Sequence, residues 1–136
     1  MATILKVVNA KGFTLMELII ALAIIAVLAT LALPSYQQQL QQSRRSDGTL
    51  ALTTFAQRLE RYFLEQGSYQ GASTALYQTH SNQGFYQLTI TADSRSYQIH
   101  ATPVGAQADD TQCGTLSLNQ LGARSISGDG KTTACW

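Results

Sequence analysis

The chain of 136 residues carries a formal net charge of +1, with 12% charged and 45% hydrophobic side chains. The length fits a single domain, and a charge this close to zero gives no electrostatic case for a nucleic-acid partner across the chain as a whole. The charge is also unevenly placed: Lys6 and Lys11 precede a long apolar stretch, and the seven remaining basic residues face eight acidic ones from Phe13 onward.

Phe13 to Leu33 is an apolar run of about 21 residues interrupted only by Thr14, Glu17 and Thr30. As a helix rising about 1.5 Å per residue it would reach about 31 Å, enough for the hydrocarbon core of a bilayer. The lysines ahead of it predict a cytoplasmic N-terminus and an outer location for the rest. A cleavable secretory signal would be shorter and followed by a small-x-small site; here the Lys11-Gly12 pair comes before the apolar run. A plain signal anchor would explain the hydrophobicity and the orientation but not Glu17. A carboxylate at the centre of a bilayer costs about 2.5–3.5 kcal/mol and marks a functional site.

The sequence Gly12, Phe13, Thr14, Leu15, Glu17, followed by an aliphatic segment and Pro34-Ser35-Tyr36, resembles the type IV pilin family. The resemblance implies that residues 1–12 are a leader, cut after Gly12 on the cytoplasmic side by a prepilin peptidase, which also methylates the new Phe13 amine. Residues 13–34 would be the membrane anchor and later the filament core, and residues 35–136 the periplasmic head. Cleavage would leave a positive amine on Phe13 for Glu17 to meet. In a low-dielectric helix bundle that attraction is far stronger than in water, and an unpaired carboxylate is costly. The residues leave two partners open, the Phe13 amine of a neighbouring subunit or the chain's own, one helical turn away; the resemblance favours the intersubunit pair. Family members commonly carry a glycine within this helix, where the present chain has Ala26, which favours helix by about 1 kcal/mol. Pro34 removes a backbone hydrogen bond and is expected to kink or weaken the preceding turn.

Beyond Pro34, the apolar positions Leu40, Leu52, Phe55, Leu59, Tyr62 and Phe63 predict an amphipathic helix ending near Gly67. Arg58, Arg61 and Glu65 fall on other faces, with Glu60 assigned to their solvated side and Gly48 expected to loosen the pattern. Unbroken from Phe13 to Gln66, such a helix would run about 80 Å. Gly67 to Gly84 reads as a polar connecting loop. Tyr86 to Ala92 and Ser96 to Ala101 alternate in polarity around Asp93-Ser94-Arg95, which predicts an antiparallel hairpin. Gly114 to Leu118 and Ala123 to Ser127 form a weaker second pair. The fold class is therefore α+β, a long N-terminal helix packed on an antiparallel sheet.

Cys113 and Cys135 are the two cysteines. An even pair in a chain that crosses a membrane suggests one disulfide, with two reduced buried thiols as the alternative. Closing a loop of about 23 residues would add about 3–3.5 kcal/mol on the chain-entropy model. It would also tie down the glycine-rich ending SGDGKTTACW, which has no apolar periodicity of its own. The resemblance implies a disulfide-bounded C-terminal loop forming subunit contacts or exposed surface, and the ending is similar to minor pilins of the PilE kind, including DNA-receptor relatives of the ComP kind.

The search for chemistry leaves no catalytic constellation, so no enzyme activity and no cofactor are expected. His80 and His100 are distant in sequence and read as solvated or strand-edge residues. Asp109, Asp110 and Asp129 match no defined calcium loop, and the GDG at Gly128 to Gly130 lacks a strand–helix context for phosphate. A DNA surface would enlist Arg95, Arg124, Lys131 and Trp136, against the nearby Asp93, Asp109, Asp110 and Asp129. The resulting expectation is a minor rather than a major pilin, single-pass in the inner membrane and then in an extracellular pilus. Its implied partners are other pilin subunits, the prepilin peptidase and the inner-membrane assembly platform. The filament would support pilus biogenesis, twitching motility, adhesion or DNA uptake. The alternatives are a DNA-binding receptor pilin and a type II secretion pseudopilin, and the cysteine pair argues against the second.

Overall fold

The computed structural model of the protein describes residues 12–136, so the expected leader lies outside the described residues except for Gly12. Two compact units divide the chain at Gln37/Gln38, and one helix, α1 (Leu15–Gln66), contributes residues to both.

In the first unit every large apolar side chain from Leu15 to Leu33 is more than half exposed. The most apolar 18-residue window of α1 has a mean hydropathy of 2.7, and none of it is buried. Helical residues continue through Pro34. Among the neighbouring groups, Thr30 donates its hydroxyl to the Val27 carbonyl at 2.7 Å.

In the second unit, Ala51, Leu52, Phe55 and Leu59 of α1 share one core with a four-stranded antiparallel sheet in the order β1-β2-β3-β4. The strands are β1 (Tyr86–Ala92), β2 (Tyr97–Pro103), β3 (Leu116–Asn119) and β4 (Arg124–Ile126). Strand alternation sends Tyr86 and Leu88 inward from β1, and Tyr97, Ile99 and Ala101 from β2, as period-2 patterning requires. Register pairs Ile90 with Ile99 and Ile99 with Leu118.

β2 runs two residues past the expected Ala101, because Pro103 pairs with Tyr86 beyond the last β2–β3 pair, Ala101 with Leu116. No ladder bond from β3 needs a Pro103 N–H there. The third strand starts later than expected. Gly114 follows the turn at Thr111–Cys113 with φ +58, and the Thr115 N–H goes to the Ser127 hydroxyl at 2.9 Å, so the strand begins at Leu116.

Gly67 to Gly84 is more ordered than a plain connecting loop. Tyr69 is buried between Phe63 and Tyr97, Ser73 caps a short 3-10 turn at Thr74–Leu76, and His80 bridges to Gln87 of β1. Glu60 is exposed, as expected, and it also serves this packing: its carboxylate accepts the hydroxyls of Tyr69 (2.9 Å) and Tyr97 (3.2 Å). Gly48 does not loosen α1, because it is buried in the helix under the ring of Tyr86.

Candidate functional site

At the start of α1, Thr14 and Glu17 form a reciprocal cap. The Thr14 N–H donates to Glu17 Oε2 at 3.0 Å, the Thr14 hydroxyl donates to the same oxygen at 3.1 Å, and the Glu17 N–H donates to the Thr14 hydroxyl at 3.2 Å. This is a capping box, and it satisfies donors that a helix start leaves free. The negative side chain also suits the positive end of the helix dipole. Its signature, Thr-x-x-Glu ahead of an apolar run, stands in the sequence. Glu17 thus has a local partner in addition to any amine, with Oε1 left outside both bonds. Gly12 and Phe13 lie just before the cap, Phe13 85% exposed, and Pro34 lies inside the helix.

The head contains a buried charge cluster that no local pattern announces. Arg45 donates from Nε and Nη2 to the two carboxylate oxygens of Asp110, each at 2.7 Å, and from Nη2 to Gln112 Oε1 at 3.0 Å. Gln107 Nε2 joins them, donating to Asp110 Oδ2, the Tyr86 hydroxyl and the Gln41 carbonyl. Arg45 and Asp110 are 7% and 2% exposed. The hydrogen bond to Asp110 raises the Arg45 pKa against the lowering effect of burial. Asp110 is therefore committed to Arg45 and is not free to join Asp109 and Asp129 at a cation. Among the described residues no group of three or more acidic, histidine or cysteine side chains is placed to hold a metal.

Cys113 and Cys135 are joined in a disulfide. The ending that seemed unable to hold itself in place is fixed by backbone bonds as well. Gly128 N–H donates to the Cys113 carbonyl at 3.1 Å and Gly130 N–H to the Gln112 carbonyl at 2.8 Å. A Cβ on Gly130 would meet the Gln112 carbonyl at 2.6 Å, and one on Gly128 would clash with the Thr111–Gln112 backbone. The chain then forms α2 (Thr132–Cys135).

The expected DNA residues are brought together only in part. The Arg124 guanidinium lies 5.2 Å from the centre of the Trp136 ring, and the indole N–H donates to the Ser125 carbonyl at 3.3 Å. Arg95 is exposed in the β1–β2 turn. Since Gln98 pairs with Asn119, that turn lies at the same end of the sheet as the β3–β4 turn before Arg124. Asp93 dominates the β1–β2 turn: its carboxylate accepts the Ser96 hydroxyl and the N–H groups of Arg95 and Ser96, which hold its pKa below the usual value. Lys131 stands apart from Arg95, at the start of α2 beside the Gly130–Gln112 crossing.

Two further arginine–aromatic pairs escaped the sequence reading, Arg44 over Phe85 at 4.9 Å and Arg58 over Tyr77 at 5.5 Å. Neither pair has a local sequence signal. His100 lies on the inner strand β2, not at an edge, and its Nδ1 meets the Ser117 hydroxyl at 2.7 Å.

Known proteins bear on this geometry at several points. Residues 8–33 match the prokaryotic N-terminal methylation motif. Residues 34–117 match the family described as type IV minor pilin ComP, DNA uptake sequence receptor. A fimbrial protein of Neisseria meningitidis serogroup B is 37% identical over 65 residues, 48% of this chain and 38% of that one. The match therefore spans less than half the length of that relative. A fimbrial protein of Pseudomonas aeruginosa is 32% identical over 108 residues, 79% of this chain and 65% of its own.

Among solved structures, a type IV pilin from Shewanella oneidensis superposes with a TM-score of 0.52 at 34% identity, over 71% of this chain and 97% of that one. The Neisseria meningitidis non-core minor pilin PilV superposes at 0.57 with 20% identity, over 68% of this chain and 92% of its own, a likeness of fold. With its capped apolar helix, its helix-on-sheet head and a match covering most of that head, the chain belongs to the type IV minor pilin ComP family.

Proposed function

We propose that the chain is a minor pilin subunit whose role is assembly and not catalysis. It is made as a prepilin, loses residues 1–12 to a prepilin peptidase that cuts after Gly12, and is methylated on the Phe13 amine. It waits in the inner membrane with its N-terminus cytoplasmic and residues 35–136 in the periplasm. An assembly platform then passes residues 13–34 into the core of a pilus made of other pilin subunits.

The observation that carries this reading is the run of apolar side chains from Leu15 to Leu33, all more than half exposed beside one capped carboxylate. Such a surface suits a bilayer or a bundle of like helices, and not water. In the bundle, Glu17 meets the Phe13 amine of a neighbour at low dielectric, which sets the axial register; Pro34 marks the end of the core segment. Quantitative mass spectrometry of sheared surface filaments tests the reading. A methylated Phe13 N-terminus at a few per cent of the main subunit is the expected result, and absence from filaments would overturn it.

A second reading, a DNA receptor displayed by that subunit, is favoured by the Arg124–Trp136 pair and by the family matched over residues 34–117. Arg95 and Lys131 would add phosphate contacts. Its test is a salt-dependent mobility shift with duplexes of varied sequence, and no sequence-selective retention would count against it.

A further inference from the structure

The Cys113 end of the disulfide is organised by one buried charge pair. Arg45 holds both oxygens of the Asp110 carboxylate, and Asp110 Oδ1 in turn accepts the backbone N–H of Cys113 at 3.3 Å. The Gly114 N–H closes the same turn on the Asp110 carbonyl at 2.8 Å. On its other side Arg45 lines a cavity of about 120 Å³ together with Gln42, Ser46, Cys135 and Trp136. The returning chain is laid against the turn through Gly128 and Gly130, which bond to Cys113 and Gln112. A buried ion pair is weak evidence for stability, because desolvation offsets its attraction. A two-pronged arginine–carboxylate bond does fix geometry, and here it fixes the backbone of Cys113 on α1 through bonds that do not involve sulfur.

We propose that Arg45 and Asp110 are positioning residues for oxidative closure of the Cys113–Cys135 disulfide. They dock the Asp110–Gly114 turn on α1 before the bond exists, so that the Cys113 thiol is already in place when Cys135 arrives. The oxidant is a disulfide-bearing one, a protein disulfide oxidoreductase or glutathione disulfide. One cysteine thiolate attacks the donor disulfide and releases the first donor thiol. The second cysteine thiolate then attacks the mixed disulfide, forms the Cys113–Cys135 bond and releases the second donor thiol. Two electrons and two protons pass to the donor.

The test equilibrates the full chain in detergent micelles with mixtures of reduced and oxidised glutathione. Alkylation and mass measurement then report the oxidised fraction, which gives the effective concentration of one thiol at the other. Asp110→Asn is expected to lower that concentration by about tenfold or more. Arg45→Lys keeps the charge but loses the fork, and lowers it by a smaller factor. The control Ile99→Val trims the core outside the network and lowers it by clearly less than Asp110→Asn does.

An Asp110→Asn value within about twofold of the parent would overturn the proposal. So would a fall in Ile99→Val as large as that in Asp110→Asn, which would reduce the effect to general destabilisation. Where Asp110→Asn loses the native Trp136 fluorescence, Arg45→Lys is judged by the same criterion.

Discussion

Gly48 lies so close under the ring of Tyr86 that a Cβ on it would come 2.9 Å from Tyr86 Cδ2. The ring has little room to retreat, since Tyr86 is fully buried and its hydroxyl accepts from Gln107. Gly48→Ala adds about 1 kcal/mol of helix propensity and meets an overpacking cost of about 1–3 kcal/mol. A net loss of about 1 kcal/mol is expected, lowering Tm by about 4–8 °C. Fluorescence of Trp136, the single tryptophan, follows the transition. A Tm equal to or above the parent's would show that the ring moves aside at no cost.

The Tyr86 hydroxyl gives the head an alkaline limit. Burial pushes its pKa up to about 12, with Gln107 opposing and Asp110 adding to the shift. Tyr97 is raised as well, first by burial and then by the charge of Glu60. An unfolded tyrosine loses its proton near pH 10, while the folded head retains it, so the folded state binds more protons above that pH. The stability contributed by these groups is complete below about pH 10 and is lost as pH rises through about 12. Denaturant titrations from pH 8 to about 12 are expected to show a steep fall in the parent and a shallower one in Tyr86→Phe. Parallel profiles for the two proteins would refute this assignment.

What local patterns encode and what they omit can be seen in the same elements. Leu52, Phe55 and Leu59 recur at helical spacing, and Tyr97, Ile99 and Ala101 alternate; all are buried where periodicity places them. Arg45, Gln107 and Asp110 are residue types that usually stay in water, and Arg45 meets Asp110 across 65 positions of chain, a separation no window of sequence spans. A glycine in a helix reads locally as weakness, while the reason for Gly48 is a ring from β1. Glu60 is exposed as its helix position suggests, while its bonds to Tyr69 and Tyr97 have no local signal because those partners lie outside its helix. The Thr14–Glu17 cap is the opposite case: its signature, Thr-x-x-Glu ahead of an apolar run, is wholly local.

That cap separates two roles of Glu17 by substitution. Glu17→Gln keeps an oxygen for the Thr14 N–H and so preserves the helix start, while removing the negative charge. Thr14→Val removes the hydroxyl from the cap, at about 0.5–2 kcal/mol of helix stability, and keeps the charge. If charge pairing with a Phe13 amine drives assembly, Glu17→Gln and Glu17→Ala are cleaved after Gly12 but poorly incorporated, and Thr14→Val is incorporated nearly normally. The amount of each variant in sheared filaments, relative to the membrane pool, is the readout. Normal incorporation of Glu17→Gln would assign Glu17 to capping alone.

The DNA-receptor reading makes a prediction whose parts differ in salt dependence. Arg124 and Lys131 are exposed cations, and each phosphate contact releases condensed counterions, so each alanine substitution should weaken DNA binding and reduce the salt slope by about 1. Trp136 carries no charge. Its replacement by alanine should cost about 1–3 kcal/mol of base stacking and leave the slope nearly unchanged. It also frees the Arg124 guanidinium from the ring, so Trp136→Phe, which keeps an aromatic face, serves as the gentler variant. Arg95 should matter less than Arg124, because Asp93 sits in its turn and offsets its charge. Binding isotherms of the full chain at several salt concentrations separate these contributions. If the slope is the same for the parent, Arg124→Ala and Lys131→Ala, the phosphates are not met by this surface, and the stacked pair is a packing feature of the C-terminal region.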